Sequence, residues 1–325
     1  MKTLLRFASL VSLSFLALAL TQAVWAQDWP DKPIRVVVPY PAGGIADKIA
    51  RETAEELGKR LKQPVIVDNK AGAAGNIGFD YVARQPADGY TLLLAPASNL
   101  TIQPLLFKNL TYDLDRDFTP VSLLVQTPQV LLVNPSLPVH TPKELVEYSK
   151  AHPKTVNFGV TTGAYMHLAG ELFKSQSGAD FTAIPYQGTA PALNAMLGGQ
   201  VQFVFNEVTT AVPQVKGGKA RALAVAYRTR APWLPDVPTM EEAGYPGFEV
   251  TSWYALVVKS GTPATIVETL SRELHAIMQS PEFKKRYDAM GAFTVGSTPQ
   301  ELAGVMRSEK ERWTPVVKQA GIQPN

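Results

Sequence analysis

Apolar positions in this chain switch repeatedly between two periods. Residues 34–38 form a short continuous apolar run, and after Pro39-Tyr40-Pro41-Ala42-Gly43-Gly44 the positions Ile45, Ile49, Thr53, Leu57 and Leu61 recur every four residues opposite a charged face. The first pattern predicts a buried strand and the second an amphipathic helix. A strand at 65–67, a helix over 76–83 and a strand at 91–94 ending at Ala95-Pro96-Ala97-Ser98-Asn99 repeat the order. Strand, loop and helix in succession predict a parallel sheet covered by helices.

The pattern breaks once and then resumes. Two apolar runs, 121–125 and 130–133, are separated by Gln126-Thr127-Pro128 and are too apolar for a surface loop, so they predict the first crossing between two lobes. Thr141-Pro142-Lys143-Glu144 has the form of a helix start, with proline at the first helical position and a capping-box glutamate. Strands at 156–158, 181–184, 201–205 and 222–226 then alternate with helices over 165–175, 191–197 and 210–216. Beyond a proline-rich connector at 232–238 comes an apolar strand at 250–258 and a helical end, with helix starts at Thr262-Pro263 and at Thr298-Pro299-Gln300-Glu301. The expected architecture is α/β in two lobes, each a mostly parallel sheet flanked by helices. Lobe I takes residues 27–126 with 229–325, and lobe II takes 127–228.

The first 26 residues stand apart. Lys2 and Arg6 precede the apolar stretch 7–20, and Val24 and Ala26 place small residues where a signal peptidase reads them, which predicts cleavage after Ala26. The run is short for a bilayer span of about 20 residues, and no second one follows. The chain holds no cysteine, which excludes a disulfide scaffold, a thiolate metal site and a lipid anchor on the mature end. The removed segment carries two cations and no acid, so 31 Lys and Arg against 28 Asp and Glu becomes 29 against 28. That balance, with no basic cluster, gives no reason to expect a nucleic acid as partner.

Open α/β sheets bind ligands at the carboxyl ends of their strands. Gly43-Gly44 opens a helix whose first amides lack an internal partner, so the loop 39–44 offers backbone N–H groups to an anion; Thr161-Thr162-Gly163 opens another helix in the same way. A carboxylate suits two such ends facing each other. The plainer reading of Gly43-Gly44 is a tight turn without ligand, and that of Asp47 is a carboxylate favoured by the helix dipole, with a role in ordering the loop or meeting a ligand donor as the alternative. Gly72, Gly75 and Gly78 fit neither a dinucleotide fingerprint nor a P-loop and are expected to serve close backbone packing, so no cofactor is expected.

Catalytic patterns are weak. His140, His152, His167 and His275 have no metal-ligand spacing, and only His167 falls near a candidate loop, where a capping or core-edge imidazole is the simpler reading. Ser98 lacks a nucleophile elbow, and its hydroxyl is expected to donate a hydrogen bond or cap the following helix. In the second lobe Tyr186, Gln187 and Asn206 offer neutral donors at strand ends. Glu207 would repel an acid unless the ligand carries a cation or the side chain turns to solvent or to a helix N-terminus, and the latter placements are expected.

Several motifs together resemble those of the tripartite tricarboxylate transporter substrate-binding proteins, the Bug receptors. They are Val38-Pro39-Tyr40-Pro41-Ala42-Gly43-Gly44 with Asp47 and Ala50-Arg51; Asp68-Asn69-Lys70-Ala71-Gly72; Asp88-Gly89-Tyr90-Thr91-Leu92; His167-Leu168-Ala169-Gly170-Glu171; Pro185-Tyr186-Gln187-Gly188; and Leu234-Pro235-Asp236-Val237-Pro238. The resemblance implies a Venus-flytrap, type II-like periplasmic receptor, monomeric and not an enzyme, that captures a small carboxylated solute and delivers it to the subunits of a membrane permease. It implies that Tyr40, Ala42, Gly43, Gly44, Ala97 and Ser98 hold a ligand carboxylate through backbone and ordered waters, and that Thr161, Thr162, Tyr186 and Asn206 select the solute. Many relatives carry aspartate where this chain has Asn206. Tyr40, Tyr165 and Tyr186 would accommodate an aromatic acid as readily as an aliphatic one. The rival functions are an exported α/β hydrolase using Ser98 or His167, and a ligand-presenting partner of a membrane sensor kinase.

Overall fold

A computed structural model describes residues 29–107 and 110–321. The expected signal segment 1–26 and its cleavage site lie outside the described residues. Among the described residues, ten strands form one continuous sheet: β1 (Ile34–Val38), β2 (Val65–Asn69), β3 (Thr91–Pro96), β4 (Phe118–Val133), β5 (Asn157–Val160), β6 (Thr182–Pro185), β7 (Phe203–Glu207), β8 (Arg221–Ala226), β9 (Thr251–Lys259) and β10 (Phe293–Thr294). Their order is β2-β1-β3-β9-β4-β7-β5-β6, with β8 and β10 both added against β4. The outer strands of each half, β2-β1-β3 and β6-β5-β7, are parallel as the βα rhythm requires. The centre is antiparallel, because β4 and β9 run against their neighbours.

β4 joins the halves. Its residues 118–128 pair with β9, and its residues 129–133 pair with β7 on one side and β8 on the other. The two apolar runs expected to be split by Gln126-Thr127-Pro128 are thus one strand of 16 residues. Pro128 is tolerated there because it falls where the flanking strand changes from β10 to β7, a gap in the ladder on that side. The return path is Val250, whose amide donates to Ala226 and whose carbonyl accepts from Gln129.

Alternation along the strands separates two apolar layers. Val36 and Val38 of β1 pack with Ile49 and Leu57 of helix Ile45–Leu61 and with Leu270 and Leu274 of helix Ala264–Met278. Val37 faces the other way, into a core that continues across the second half. That core is aromatic: Phe173 stacks on Phe181 with ring centroids 5.2 Å apart, and Phe205 on Phe248 at 5.6 Å. Each buried ring is worth about 1.5–3 kcal/mol relative to exposure. Phe248 and Tyr245 belong to the segment 229–250, which the sequence placed with lobe I, yet both rings pack against Phe173 of the second half.

Of the three helix starts that cap residues predict, one forms as expected and two differ. Thr298 and Glu301 form the full capping box that opens helix Pro299–Ala320. At helix Pro142–Ala151 the Thr141 hydroxyl caps as expected, but Glu144 reaches back to the amide of His140 instead of that of Thr141. At helix Ala264–Met278 the Thr262 hydroxyl donates to the carbonyl of Lys259 and Pro263 takes the cap position, so no side chain caps that end.

Candidate functional site

Strand β1 delivers the chain into the loop 39–44, which is exposed at residues 41–44 and opens helix Ile45–Leu61. Gly43 turns the chain at φ +90°, a conformation that favours glycine. Its amide donates to Asp47 Oδ2 at 3.0 Å. Asp47 is buried, and it also accepts from Arg51 Nε at 2.9 Å and from Asn69 Nδ2 at 3.0 Å. The Arg51 guanidinium above all, with the Gly43 amide and Asn69, holds this carboxyl below the ordinary aspartate range against the cost of burial. Asp47 therefore orders the loop. The Gly43 amide is committed to it, which leaves Gly44 and the first helical turn as the donors for an anion.

The second half repeats this construction. Gly163 turns at φ +72°, and its amide donates to His167 Nδ1 at 3.3 Å, at the start of helix Tyr165–Ser177. In both halves the glycine is followed by an extended cap residue, Gly44 or Ala164, and the side chain four residues on accepts its amide. His167 is buried, and burial pushes its imidazole down to about 4. With Nδ1 accepting, the ring proton sits on Nε2, which lies 3.9 Å from Glu171 Oε1. Thr161 Oγ1 is buried without a partner, Thr162 is half-buried, and Tyr186 is half-buried with its amide donating to Val160.

The end of β3 supplies the next wall. Ala97 is buried at the start of the short helix Ala97–Thr101, and Ser98 lies beside the Tyr40 hydroxyl. Tyr40 donates to Asn99 Oδ1 at 2.9 Å, and Asn99 Nδ2 donates to the carbonyl of Ala74 at 2.9 Å. Asn99 thus ties three loops of the first half together. Burial pushes the Tyr40 phenol up to about 12, Ser98 opposes the shift, and the charge of Glu207 adds to it.

Glu207, last residue of β7, sits across from these groups. The expected helix cap is not made: half-buried Glu207 occupies the cap position of helix Val208–Lys216, but its side chain makes no cap bond. Glu207 Oε1 accepts from the Tyr254 hydroxyl at 3.3 Å, and Ser252 lies alongside, itself accepting from Gln129 Nε2 at 2.9 Å. Burial pushes the carboxyl up to about 7, with the Ser252 and Tyr254 hydroxyls pulling it back. Asn206 is buried within the strand, opposite Val130.

Tyr165 has other partners. It is buried, its hydroxyl donates to Glu309 Oε2 at 2.6 Å, and Thr101 Oγ1 lies 3.3 Å away. Ser98 and His167 do not form a nucleophile and base, because the His167 nitrogens face Gly163 and Glu171. Asn99, Ser252, Tyr254 and Gln129 were not expected at the site. The signal for two of them was present: Ser252 and Tyr254 put polar atoms on one face of an otherwise apolar strand, at period two.

Two α/β halves joined by a crossing strand, with matched helix-opening loops at the strand carboxyl ends, define a two-lobed solute-binding protein. Comparisons with known proteins agree. Solved structures with this fold include the R. palustris protein Rpa4515 with adipate, at TM-score 0.85 and 36% identity over 92% of this chain and 100% of that one. They also include the periplasmic binding protein BugD, at TM-score 0.80 and 36% identity over 91% and 100%. Protein BugT of Bordetella pertussis is 36% identical over 320 residues, 98% of each chain. Residues 49–322 match the model of the tripartite tricarboxylate transporter family receptor, and the chain belongs to that family. Among the described residues no helix is long and apolar enough to cross a membrane, and no group of three or more His, Cys, Asp or Glu is placed to hold a metal ion.

Proposed function

We propose that this protein is a periplasmic receptor that closes its two lobes on a small organic acid and passes it to the permease subunits of a tripartite tricarboxylate transporter. The observation that carries the reading is the pair of matched loops held by Asp47 and His167, one in each half, each opening a helix toward the strand ends. Helix N-termini favour negative charge, and ordered water bridges a carboxylate to backbone nearly as well as direct contact does. The adipate held by a relative of 36% identity supports the ligand class.

In this reading Ala42, Gly44, Tyr40, Ala97 and Ser98 receive the acid, while Thr161, Thr162, Tyr186, Asn206 and Glu207 select it. Asp47, Gly43 and His167 shape the loops without touching the ligand. The lobes bend at β4 near Pro128 and at Val250, which assigns 129–250 to the second lobe. Residues 1–26 direct export and are removed. Closure is favoured by the contacts that the ligand makes only in the closed state.

The experiment is a thermal-shift panel on the mature chain with aliphatic, aromatic and amino-substituted carboxylates. At least one raises Tm in a concentration-dependent way. Silence across the panel overturns the reading.

A further inference from the structure

Among the described residues, Glu207 is the one carboxylate at the carboxyl ends of the second-half strands. Its bonded neighbours are neutral hydroxyls, those of Tyr254 and Ser252 on β9. Among the described residues, no Lys, Arg or His forms an ion pair with it. Tyr40, on the loop after β1, lies close enough for the carboxylate charge to act on its phenol. The facing strand β4 contributes Gln129, directly opposite Glu207 in the ladder and 2% exposed. Gln129 Nε2 is spent on Ser252, and Gln129 Oε1 is buried with no partner. The helices packed on β7 bring His167 and Glu171, which face each other, Lys174 in the last turn of helix Tyr165–Ser177, and Lys216 at the far end of helix Val208–Lys216.

This corner is therefore rich in acceptors and lacks a cation. An anionic ligand group placed there would meet repulsion from the carboxylate and an amide oxygen with nothing to accept. An ammonium group has three donors, which suits a carboxylate and an orphan amide oxygen together. We propose that Glu207, with Gln129 Oε1, receives the cationic nitrogen of the ligand, so that the solute class is a carboxylate bearing an amino group. The inference rests on the receptor reading and narrows it: the first lobe takes the carboxylate and Glu207 selects for the ammonium.

The raised carboxyl gives a second readout. A group poised near 7 ionises when a cation is placed beside it, so capture of an amino acid at pH 7 releases protons to the buffer.

The test is calorimetry on the mature protein with two matched series, aspartate and glutamate against succinate and glutarate, in buffers of different ionisation enthalpy. The expected result is a preference of at least about tenfold for an amino-bearing acid, with proton release on its binding. Glu207→Gln brings that preference close to unity by weakening the amino-bearing acid. Tighter binding of succinate or glutarate by the unaltered protein overturns the inference, as does proton uptake on binding. A preference retained in Glu207→Gln overturns it too. If that variant does not fold, the preference and the proton count of the unaltered protein decide. These results leave the receptor reading standing, whereas silence of every acid in both series and in the wider panel removes the reading and the inference together.

Discussion

Asp47 and His167 perform the same act in different halves of the molecule. Each accepts the amide of a positive-φ glycine four residues earlier, Gly43 at 3.0 Å and Gly163 at 3.3 Å, and so sets the angle at which a strand enters a helix. One acceptor is a charged carboxylate tied to Arg51, and the other is a neutral imidazole. The shared geometry with unlike chemistry indicates that the loop shape is what both halves require.

Asp47→Ala takes the side-chain acceptor from the exposed Gly43 amide and one of two acceptors from Asn69 Nδ2, which keeps the Tyr40 carbonyl. The cost is about 0.5–1.5 kcal/mol. Asp47→Asn retains one oxygen for Gly43 and recovers part of it. Urea unfolding of the three proteins measures this; equal midpoints for Asp47→Ala and the parent would show that the loop holds its shape unaided.

His167 makes stability depend on acid. Its folded pKa of about 4 lies below the ordinary value of 6.5, so the unfolded chain binds the extra proton between those limits and stability falls as pH drops through them. The full contribution is on the order of 3 kcal/mol. His167→Asn keeps an oxygen acceptor for Gly163 and cannot take the proton, so its unfolding free energy gains on that of the parent as pH falls from 6.5 to 4. Parallel profiles for the variant and the parent would refute the assignment.

Glu207 acts with the opposite sign. Its folded pKa of about 7 is above the ordinary 4.5, so the folded state holds the extra proton and stability declines as pH rises from about 4.5 to 7. Glu207→Gln removes the titration and is more stable than the parent at pH 8 by about 3 kcal/mol, with the gap closing near pH 4.5. Because His167 and Glu207 offset each other, the ligand-free parent shows a shallower profile than either variant. Chemical denaturation from pH 4 to 8 decides, and a gap that is constant with pH would rule out the burial of Glu207.

What the sequence reveals and what it hides divide along the range of the forces involved. β1 and the helix Asn76–Ala83 occupy the spans that periodicity predicts, and Thr298 and Glu301 cap as spacing predicts, because each depends on neighbours a few residues away. β4 was legible only as two pieces: Gln126-Thr127-Pro128 breaks a strand by local rules, and the ladder to β9 that carries it through pairs residues more than 120 positions apart. The short helices at 97–101, 103–106 and 114–117 are single turns with too few residues to show a period. At the site, the loops 39–44 and 161–163 were legible from their glycines and strand ends. The partners of Glu207 were not, since Tyr254 lies 47 residues further on in a strand whose composition reads as core.

The last prediction concerns Tyr165, which the sequence offered as a ligand-facing ring. Its hydroxyl instead joins three elements: the helix Tyr165–Ser177 that bears it, the helix Pro299–Ala320 through Glu309, and the helix Ala97–Thr101 through Thr101. Trp313 Nε1 donates to the same Glu309 oxygen at 2.7 Å, so the carboxylate gathers two buried donors. Tyr165→Phe removes one of them while keeping the ring that meets Trp313 edge-on at 5.7 Å. The expected loss is about 1–3 kcal/mol of unfolding free energy, with ligand affinity changed less than about threefold, because the hydroxyl is committed within the protein. Calorimetry and denaturation on one preparation separate the two effects. A large drop in affinity with unchanged stability would return Tyr165 to the binding surface.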